Sequence, residues 1–516
     1  MKQVDHFQRI IDSIVAGEIR TPDQLQRAKH QACREYGLKE LPTNSEILAV
    51  CPEEFRERVL PILRKKPTRT LSGVAVLAIM TEPSPCPHGK CSYCPGGVEF
   101  GTPQSYTGRE PAALRAMEHD FDPYLQTVNR LEQLVAIGHS VDKVDVIIMG
   151  GTFTSFDPEY RSWFVQRCFD GLNGSTSRTL DEAHSMNESA DARCIGLTIE
   201  TRPDCFGEVE VSQSMALGVT RIELGVQSTN DEVLERVNRG HGTSETITAT
   251  RVSKDNGMKV CYHMMPGLPG ADIESDIASF NEIFTNEDYR PDMLKIYPTL
   301  VIENTQLYHL WKAGDFVPYH EKEVAELLAE VKGNMPEWVR IQRVQRDIPA
   351  PLIVDGVKKG DIRLLAQELL KERGGKCRCI RCREIGRIGV DSVSDNANIQ
   401  LKRLEYEASG GMEVFLAFKD DKSGGLIAYC RLRESNGIAR VRELKVLGEV
   451  VPINQEAGGR WQHQGLGKRL INECERIASD DWEFDLISVT SGVGARGYYR
   501  KMGYELDHPY MIKQLD

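Results

Sequence analysis

The apolar positions of the chain change their spacing twice, near residue 70 and near residue 399. Before the first change the spacing is helical. Phe7, Ile10, Ile11, Ile14 and Val15 recur at the i, i+3, i+4, i+7, i+8 interval that lines one helix face. Thr21 followed by Pro22 marks a helix start, with the threonine as cap and the proline in the first turn. Between residues 74 and 298 short apolar runs alternate with helical stretches. The runs are 74–80, 144–149, 195–199, 221–226, 259–264 and 293–297, and the helical stretches include 111–134, 158–172, 230–237 and 273–284. This alternation predicts a parallel sheet with right-handed crossovers, open or closed into a partial barrel. Ligands in such folds sit at the carboxyl ends of the strands. From residue 399 the period falls to two, over 400–406, 413–418, 426–433 and 441–446, which predicts antiparallel strands. A helix at 468–478 and a strand at 486–490 follow. The resulting division is a helical region 1–70, a barrel 71–335, a basic linker 336–398 and a second α/β domain 399–516.

A chain of 516 residues accommodates this many parts. No apolar run approaches the ~20 residues of a membrane span, and the start, Met1-Lys-Gln-Val-Asp-His6, lacks a charged-then-apolar leader pattern. The expected location is cytoplasmic. The net charge of −12 excludes a uniformly basic nucleic-acid coat and leaves local patches as the relevant quantity. Arg27, Lys29, His30, Arg34 and Lys39 form one such patch, and Arg64, Lys65, Lys66 and Arg69 another. Each reads either as a solvated helix face or as a phosphate-contacting surface. Of the fourteen cysteines, six fall in two tight clusters, which points to metal rather than to a disulfide framework.

The first cluster follows the first predicted strand, in Cys86-Pro-His-Gly-Lys-Cys91-Ser-Tyr-Cys94-Pro-Gly-Gly97. Structural zinc takes four ligands and a [4Fe–4S] cubane has four corners. Three cysteines therefore leave one position for His88, for a remote side chain, or for a bound cofactor. Later strand ends carry small or polar residues: Gly150, Gly151 and Thr152; Glu200 and Arg202; Gln227 and Ser228; His263; Lys295 and Tyr297. Glycine at such an end lets backbone amides approach a ligand. The second cluster, Cys377, Cys379 and Cys382, lies in the most basic part of the chain, among Arg340, Arg343, Arg346, Lys358, Lys359, Arg363, Lys371, Arg373, Lys376, Arg378, Arg381, Arg383 and Arg387. Its C-x-C-x2-C spacing suits zinc with a fourth ligand from elsewhere, His463 and Cys430 being candidates. The plainer reading is three unligated thiols, which would be exposed to oxidation. Gln462-His-Gln-Gly465-Leu-Gly467-Lys468 opens the predicted helix, whose free first-turn amides suit a pyrophosphate. Tyr498 and Tyr499 follow, and one of the two is expected to be a packing aromatic.

The first cysteine loop resembles the radical S-adenosylmethionine (SAM) motif, with C-x4-C-x2-C in place of the usual C-x3-C-x2-C. Together with the Gly-Gly and polar strand ends it is similar to the radical-SAM partial barrel. That resemblance implies a [4Fe–4S] cluster on Cys86, Cys91 and Cys94, with SAM on the open iron and Gly150, Gly151, Thr152, Glu200 and Gln227 around it. The stretch 462–504 resembles the GNAT acetyltransferases, where a Q/R-x-x-G-x-G/A helix start cradles the CoA pyrophosphate. The implied fold class is α/β: a radical-SAM partial (β/α) barrel plus a C-terminal GNAT domain, with a small helical N-terminal domain.

The combination resembles the catalytic subunit family of Elongator, the tRNA wobble-uridine carboxymethyl transferases. The likeness runs over nearly the whole chain, through Gln104-Ser-Tyr-Thr-Gly108, Met149-Gly-Gly-Thr-Phe153, Thr198-Ile-Glu-Thr-Arg-Pro203, Lys295-Ile-Tyr-Pro-Thr-Leu300 and Arg343-Val-Gln-Arg-Asp-Ile-Pro349. It implies that a SAM-derived radical activates the acetyl methyl of acetyl-CoA, which adds to C5 of uridine 34 before thioester hydrolysis leaves a carboxymethyl group. Lys143, Tyr498 and Tyr499 are the implied catalytic residues. Glu443, Leu444, Lys445, Val446, Gly465, Leu466, Gly467, Tyr498 and Lys143 are implied around acetyl-CoA, with Lys445 standing where many members carry histidine. Lys143, on the radical domain, and the GNAT domain should then face one shared cleft, since the methyl radical must meet both SAM and the base. The implied partner is the tRNA anticodon loop, whose bases are already single-stranded. The basic linker and residues 64–69 become phosphate contacts. Elongator-type subunits, a stand-alone enzyme and a homo-oligomer are all compatible with the family. The alternative function is a protein (histone-type) lysine N-acetyltransferase with a structural barrel.

Overall fold

A computed structural model describes residues 2–66, 70, 72–388, 399–448, 462 and 464–515. Arg69 and His463 lie outside these described residues. Helices Lys2–Val15, Pro22–Tyr36, Asn44–Ala49 and Glu53–Leu63 form the N-terminal body around buried Ile10, Ile11, Ile14, Leu25, Ile47 and Leu63. Thr21 caps the second helix as expected: its hydroxyl accepts from Gln24 N at 3.3 Å, while Gln24 Oε1 accepts from Thr21 N at 3.1 Å. The body docks on the barrel where Arg64 Nε donates to Gly138 O at 3.0 Å. Lys29 corrects the basic patch. It is buried, with Nζ on Asn44 Oδ1, and presents nothing to a phosphate, whereas Arg27, His30, Arg34 and Lys39 are exposed.

Seven parallel strands make the central sheet: β1 (Ala75–Met80), β2 (Lys143–Met149), β3 (Arg193–Thr201), β4 (Arg221–Gln227), β5 (Lys259–Met264), β6 (Met293–Ile296) and β7 (Arg340–Val344). They are ordered as in the chain, and no ladder joins β7 to β1 among the described residues, so the curled sheet stays open. Six strands match the sequence expectation. The seventh falls at 340–344, inside the segment expected as a linker, because Arg340, Gln342 and Arg343 break the apolar run that marks the other strands. Arg340 is buried against Glu384, and Arg383 is buried too, so neither contributes to a basic surface. The stretch 111–134 is two helices, Pro111–Glu118 and Pro123–Ala136. The break comes at Asp120 and Phe121, with φ of 48° and 60°, and Asp122 caps the new start by accepting from Leu125 N at 2.8 Å.

The second sheet contains β8 (Ile399–Ala408), β9 (Gly411–Asp420), β10 (Leu426–Ser435), β11 (Ile438–Val446), β12 (Leu486–Val489), β13 (Glu505–Asp507) and β14 (Tyr510–Gln514). The first four are antiparallel, β11 and β12 are parallel, and β14 lies between β12 and β13. Helix Leu466–Arg476 covers one face, burying Leu470, Ile471 and Cys474. The other face carries charge into the barrel. Arg442 and Arg431 reach Asp292, Arg433 reaches Asp255, and Lys254 reaches Glu413. Buried ion pairs therefore join the two sheets, alongside apolar contacts such as Trp338 stacked on Tyr406 and Val493 packed in the barrel core.

Candidate functional site

Two cavities occupy opposite ends of the parallel strands. The upper one, about 140 Å³, lies at the carboxyl ends and is lined by Cys86, Cys91, Cys94, Gly151, Thr152, Glu200 and Gln227. The lower one, about 550 Å³, lies between the amino ends of the strands and the second sheet. Lys143, Glu443, Leu444, Lys445, Val446, Gly465, Leu466, Gly467, Tyr498 and Tyr499 line it. The lower cavity is the expected shared cleft of Lys143 and the C-terminal domain, whereas the cysteine loop opens at the far end of the barrel.

The cysteine loop is pinned by backbone hydrogen bonds, Ser92 N to Val237 O at 3.0 Å and Leu307 N to Ser92 O at 2.8 Å. Each thiol meets a polar group from another part of the chamber. Thr152 Oγ1 is 3.6 Å from Cys86 Sγ, Gln104 Nε2 donates to Cys94 Sγ at 3.1 Å, and Arg239 Nη1 donates to Cys91 Sγ at 3.6 Å. His88 Nε2 is also 3.2 Å from Cys91 Sγ. Burial pushes the Cys86 and Cys94 thiols up, so ligation there requires a metal to displace the protons. Gly150 does not line the cavity. Its φ is 141°, and a Cβ there would sit 2.0 Å from Thr81 Oγ1, so it permits the turn out of β2. Gln227 Oε1, Arg202 Nε, Arg239 Nε and His88 Nδ1 are buried without hydrogen-bond partners. Such orphans cost about 1–3 kcal/mol each. A chamber of three thiols and several unsatisfied donors and acceptors fits a cluster carrying a polar, charged cofactor.

Behind this chamber runs a chain of buried charge, of which sequence reading singles out Glu200, His263 and Lys295 but not Glu223, Arg221 or Asp145. Glu200 Oε2 accepts from Tyr106 Oη at 2.9 Å, Glu200 Oε1 lies 3.4 Å from Lys295 Nζ, and Lys295 also pairs with Glu223. Glu223 Oε2 is 2.9 Å from His263 Nε2, and Arg221 Nη1 is 3.0 Å from Asp145 Oδ2. Burial raises the Glu223 carboxyl, but Lys295, His263 and Arg221 outweigh it and hold the group ionised. Glu223, Cys261 and His263 bring ligand atoms within 4.8 Å of one another. The cations already on Glu223 disfavour a metal there.

Cys377, Cys379 and Cys382 form the other such triad among the described residues. Tetrahedral zinc at about 2.3 Å from each sulfur places thiolates about 3.8 Å apart, and these three sulfurs all lie within 4.8 Å of one another. Cys86, Cys91 and Cys94 are not so close, which suits the wider reach of a cubane. Lys332 Nζ and Gln367 Nε2 donate to Cys382 Sγ at 3.6 and 3.4 Å. Hydrogen bonds from Cys377 and Cys379 push the Cys382 thiol down. Of the two expected fourth ligands, His463 lies outside the described residues. Cys430 sits in the C-terminal core, 3.4 Å from Cys474 Sγ, and is not part of the triad.

In the lower cavity the helix Leu466–Arg476 starts at Gly465, whose φ is 77°, and its first turn, Leu466, Gly467 and Lys468, lines the space. Gly467 leaves room for Tyr498, since a Cβ would stand 2.7 Å from Tyr498 Oη. Tyr499 is the packing member of the tyrosine pair, only 6% exposed, whereas Tyr498 is 42% exposed. Lys143 Nζ donates to Gln462 Oε1 at 3.0 Å, and burial lowers its pKa. Burial raises the Glu443 carboxyl, but Arg431, Lys259 and Lys445 hold it below its usual range. Arg431 Nε and Tyr429 Oη donate to it at 2.9 and 3.1 Å.

Three family models match the chain: the ELP3 N-terminal domain over residues 3–71, the Radical SAM superfamily over 82–281 and the Radical_SAM C-terminal domain over 291–372. A protein of Methanocaldococcus jannaschii named tRNA uridine(34) acetyltransferase is 49% identical over 527 residues, covering 99% of this chain and 97% of that protein. Elongator complex protein 3 of Homo sapiens is 44% identical over 510 residues, covering 95% of this chain and 93% of the human protein. The solved structure of the archaeal Methanocaldococcus infernus Elp3 with an N-terminus deletion (1–46) is 45% identical. It superposes with a TM-score of 0.76, covering 86% of this chain and 100% of the other. A match of this extent at this identity places the chain in the Elongator complex protein 3 (Elp3) family, within the radical SAM superfamily.

Proposed function

We propose that the protein is a cytoplasmic tRNA-modifying enzyme that installs a carboxymethyl group at C5 of the wobble uridine, using SAM and acetyl-CoA. The observation that carries this reading is the pair of cavities on one rigid scaffold. The upper one presents three thiols among orphaned polar groups, and the lower one presents a helix start beside Lys143 and Tyr498. When bound, the cluster and SAM together supply a hydrogen-abstracting radical. Cys86, Cys91 and Cys94 hold the cluster, while Gly151, Thr152, Glu200 and Gln227 bind and orient SAM, with Gly150 setting their turn. The C-terminal sheet acts as a GNAT domain. The amides of Leu466 and Gly467 take the CoA pyrophosphate. Glu443, Leu444, Lys445 and Val446 line the pantetheine, and Lys143 and Tyr498 flank the thioester. Cys377, Cys379 and Cys382 hold a structural zinc. Exposed Lys358, Lys359, Lys371, Arg373, Lys376 and Arg378, with Lys65 and Lys66, supply phosphate contacts for the anticodon arm. The names of the relatives support both tRNA as substrate and Elongator-type subunits as partners.

The test is nucleoside mass spectrometry after anaerobic incubation of the iron-reconstituted protein with SAM, acetyl-CoA and unmodified tRNA. Carboxymethyluridine that disappears in Cys91→Ser is the expected product. Acetylated lysine on protein, equal in Cys91→Ser, with unmodified uridine, would instead establish a lysine acetyltransferase.

A further inference from the structure

The two cavities share no lining residue, yet they abut on one strand. On β4, Arg221 lines the lower cavity and Glu223 the upper. Two residues of strand rise separate them, about 6.6 Å. The register stacks the interior in layers. Thr198, Arg221 and Lys259 are in register across β3, β4 and β5, and Glu200, Glu223 and Cys261 form the next layer up. The wall between the cavities is thus a single contact between two side-chain layers.

That contact is the loose one. Below it, Arg221 is held by Asp145 at 3.0 Å, and above it Glu223 is held by His263 at 2.9 Å and by Lys295. Between them Arg221 Nε and Glu223 Oε1 are 3.7 Å apart. Neither atom has a hydrogen-bond partner although both are buried, and Thr198 Oγ1 in the same layer is buried and unpartnered as well. A donor, an acceptor and a hydroxyl left unsatisfied around one seam are matched by an amide, which offers a carbonyl to Arg221 and an N–H to Glu223.

We propose that this seam is a gate through the barrel: an acyl thioester first bound beside Lys143 and Tyr498 advances until its amide-bearing arm threads between Arg221 and Glu223. Its acyl end then reaches the cysteine-lined chamber. The gate rests on the thioester reading of the lower cavity. It resolves a problem that reading leaves open, namely how an acyl group bound at the amino ends of the strands meets chemistry at their carboxyl ends. Arg221 and Glu223 act as positioning residues. Asp145 keeps the arginine folded downward when the seam parts, and His263 with Lys295 keep the glutamate folded upward.

The experiment is photolabelling of the intact, iron-reconstituted protein with a CoA thioester whose short acyl group bears a diazirine, followed by peptide mapping. Label on Glu200, Lys295 or Tyr106, competed at least tenfold by acetyl-CoA, is the expected result. Competed label confined to Lys143, Val446 or Tyr498 would overturn the gate while leaving the thioester reading intact. Absence of competed label in either cavity would overturn the thioester reading and the gate with it.

Discussion

Arg442 on β11 forks onto Asp292 in the barrel, Nη1 to Oδ2 at 2.9 Å and Nη2 to Oδ1 at 2.6 Å, with both side chains fully buried. The strand that lines the lower cavity is thereby fixed to the loop that precedes β6. Removing one partner leaves an uncompensated buried charge. Asp292→Ala should therefore destabilise the protein by about 3–5 kcal/mol. Arg431, which also pairs with Asp292, and Glu413, which also pairs with Arg442, stay buried in the double variant Asp292→Leu with Arg442→Met, so that variant should recover only part of the loss. Denaturant unfolding of the three proteins checks the order.

The same pair sets a pH dependence. Burial pushes the Asp292 carboxyl up, but Arg442, Arg431 and Lys254 overcome this and hold it at about 2, below its usual value of 3.8. A carboxyl with a depressed folded pKa stabilises the fold above its unfolded value and loses that stabilisation as pH falls through the folded one. Stability should therefore be level in this contribution above about pH 4 and decline toward about pH 2. Thermal unfolding should show a shallower acid decline in Asp292→Asn than in the parent protein.

Much of this architecture is legible in the sequence. Six of the seven barrel strands and the first four strands of the second sheet follow from apolar period alone. What escapes has a common cause. Arg431 and Arg433 on β10, with Arg440 and Arg442 on β11, alternate with apolar residues as a solvent-facing edge would, yet they face the barrel and are buried. On β7 the polar residues Arg340, Gln342 and Arg343 leave no apolar run to mark the strand. Arg221, Glu223 and Lys295 look like ordinary strand-end polarity, and only three-dimensional register shows that they stack into one chain. The cysteine triads and glycine-rich ends are readable because ligand chemistry restricts spacing more tightly than packing does.

Lys143 donates to Gln462 at the mouth of the lower cavity, and burial lowers its pKa. If it flanks the thioester, Lys143→Met should weaken acetyl-CoA binding about tenfold, the equivalent of one charge-assisted hydrogen bond. Isothermal titration reads this directly, and Lys143→Arg should retain part of the affinity.

Gly467 and Tyr498 make a steric prediction. A methyl at Gly467 would meet Tyr498 Oη at 2.7 Å. Gly467→Ala should displace the ring and reduce CoA affinity severalfold, with a small change in melting temperature because Tyr498 is the end of a mobile side chain. Tyr498→Phe in the same background removes the colliding oxygen and should restore part of the binding.

The compact triad predicts one zinc per chain in addition to iron. Cys379→Ser should lose the zinc by elemental analysis, keep the visible absorption of the iron centre, and melt at lower temperature. Cys91→Ser should show the reverse pattern, keeping zinc and losing the iron absorption.

The central claim is that a radical generated at the cysteine-lined chamber acts on the acetyl group of an acetyl-CoA bound from the opposite end of the barrel. Incubation of the reconstituted protein with SAM, trideuterated acetyl-CoA and tRNA, followed by mass spectrometry of 5′-deoxyadenosine, tests it most directly. The account predicts one deuterium in 5′-deoxyadenosine and none in the Cys91→Ser protein. Unlabelled 5′-deoxyadenosine from an enzyme that still modifies uridine would contradict it.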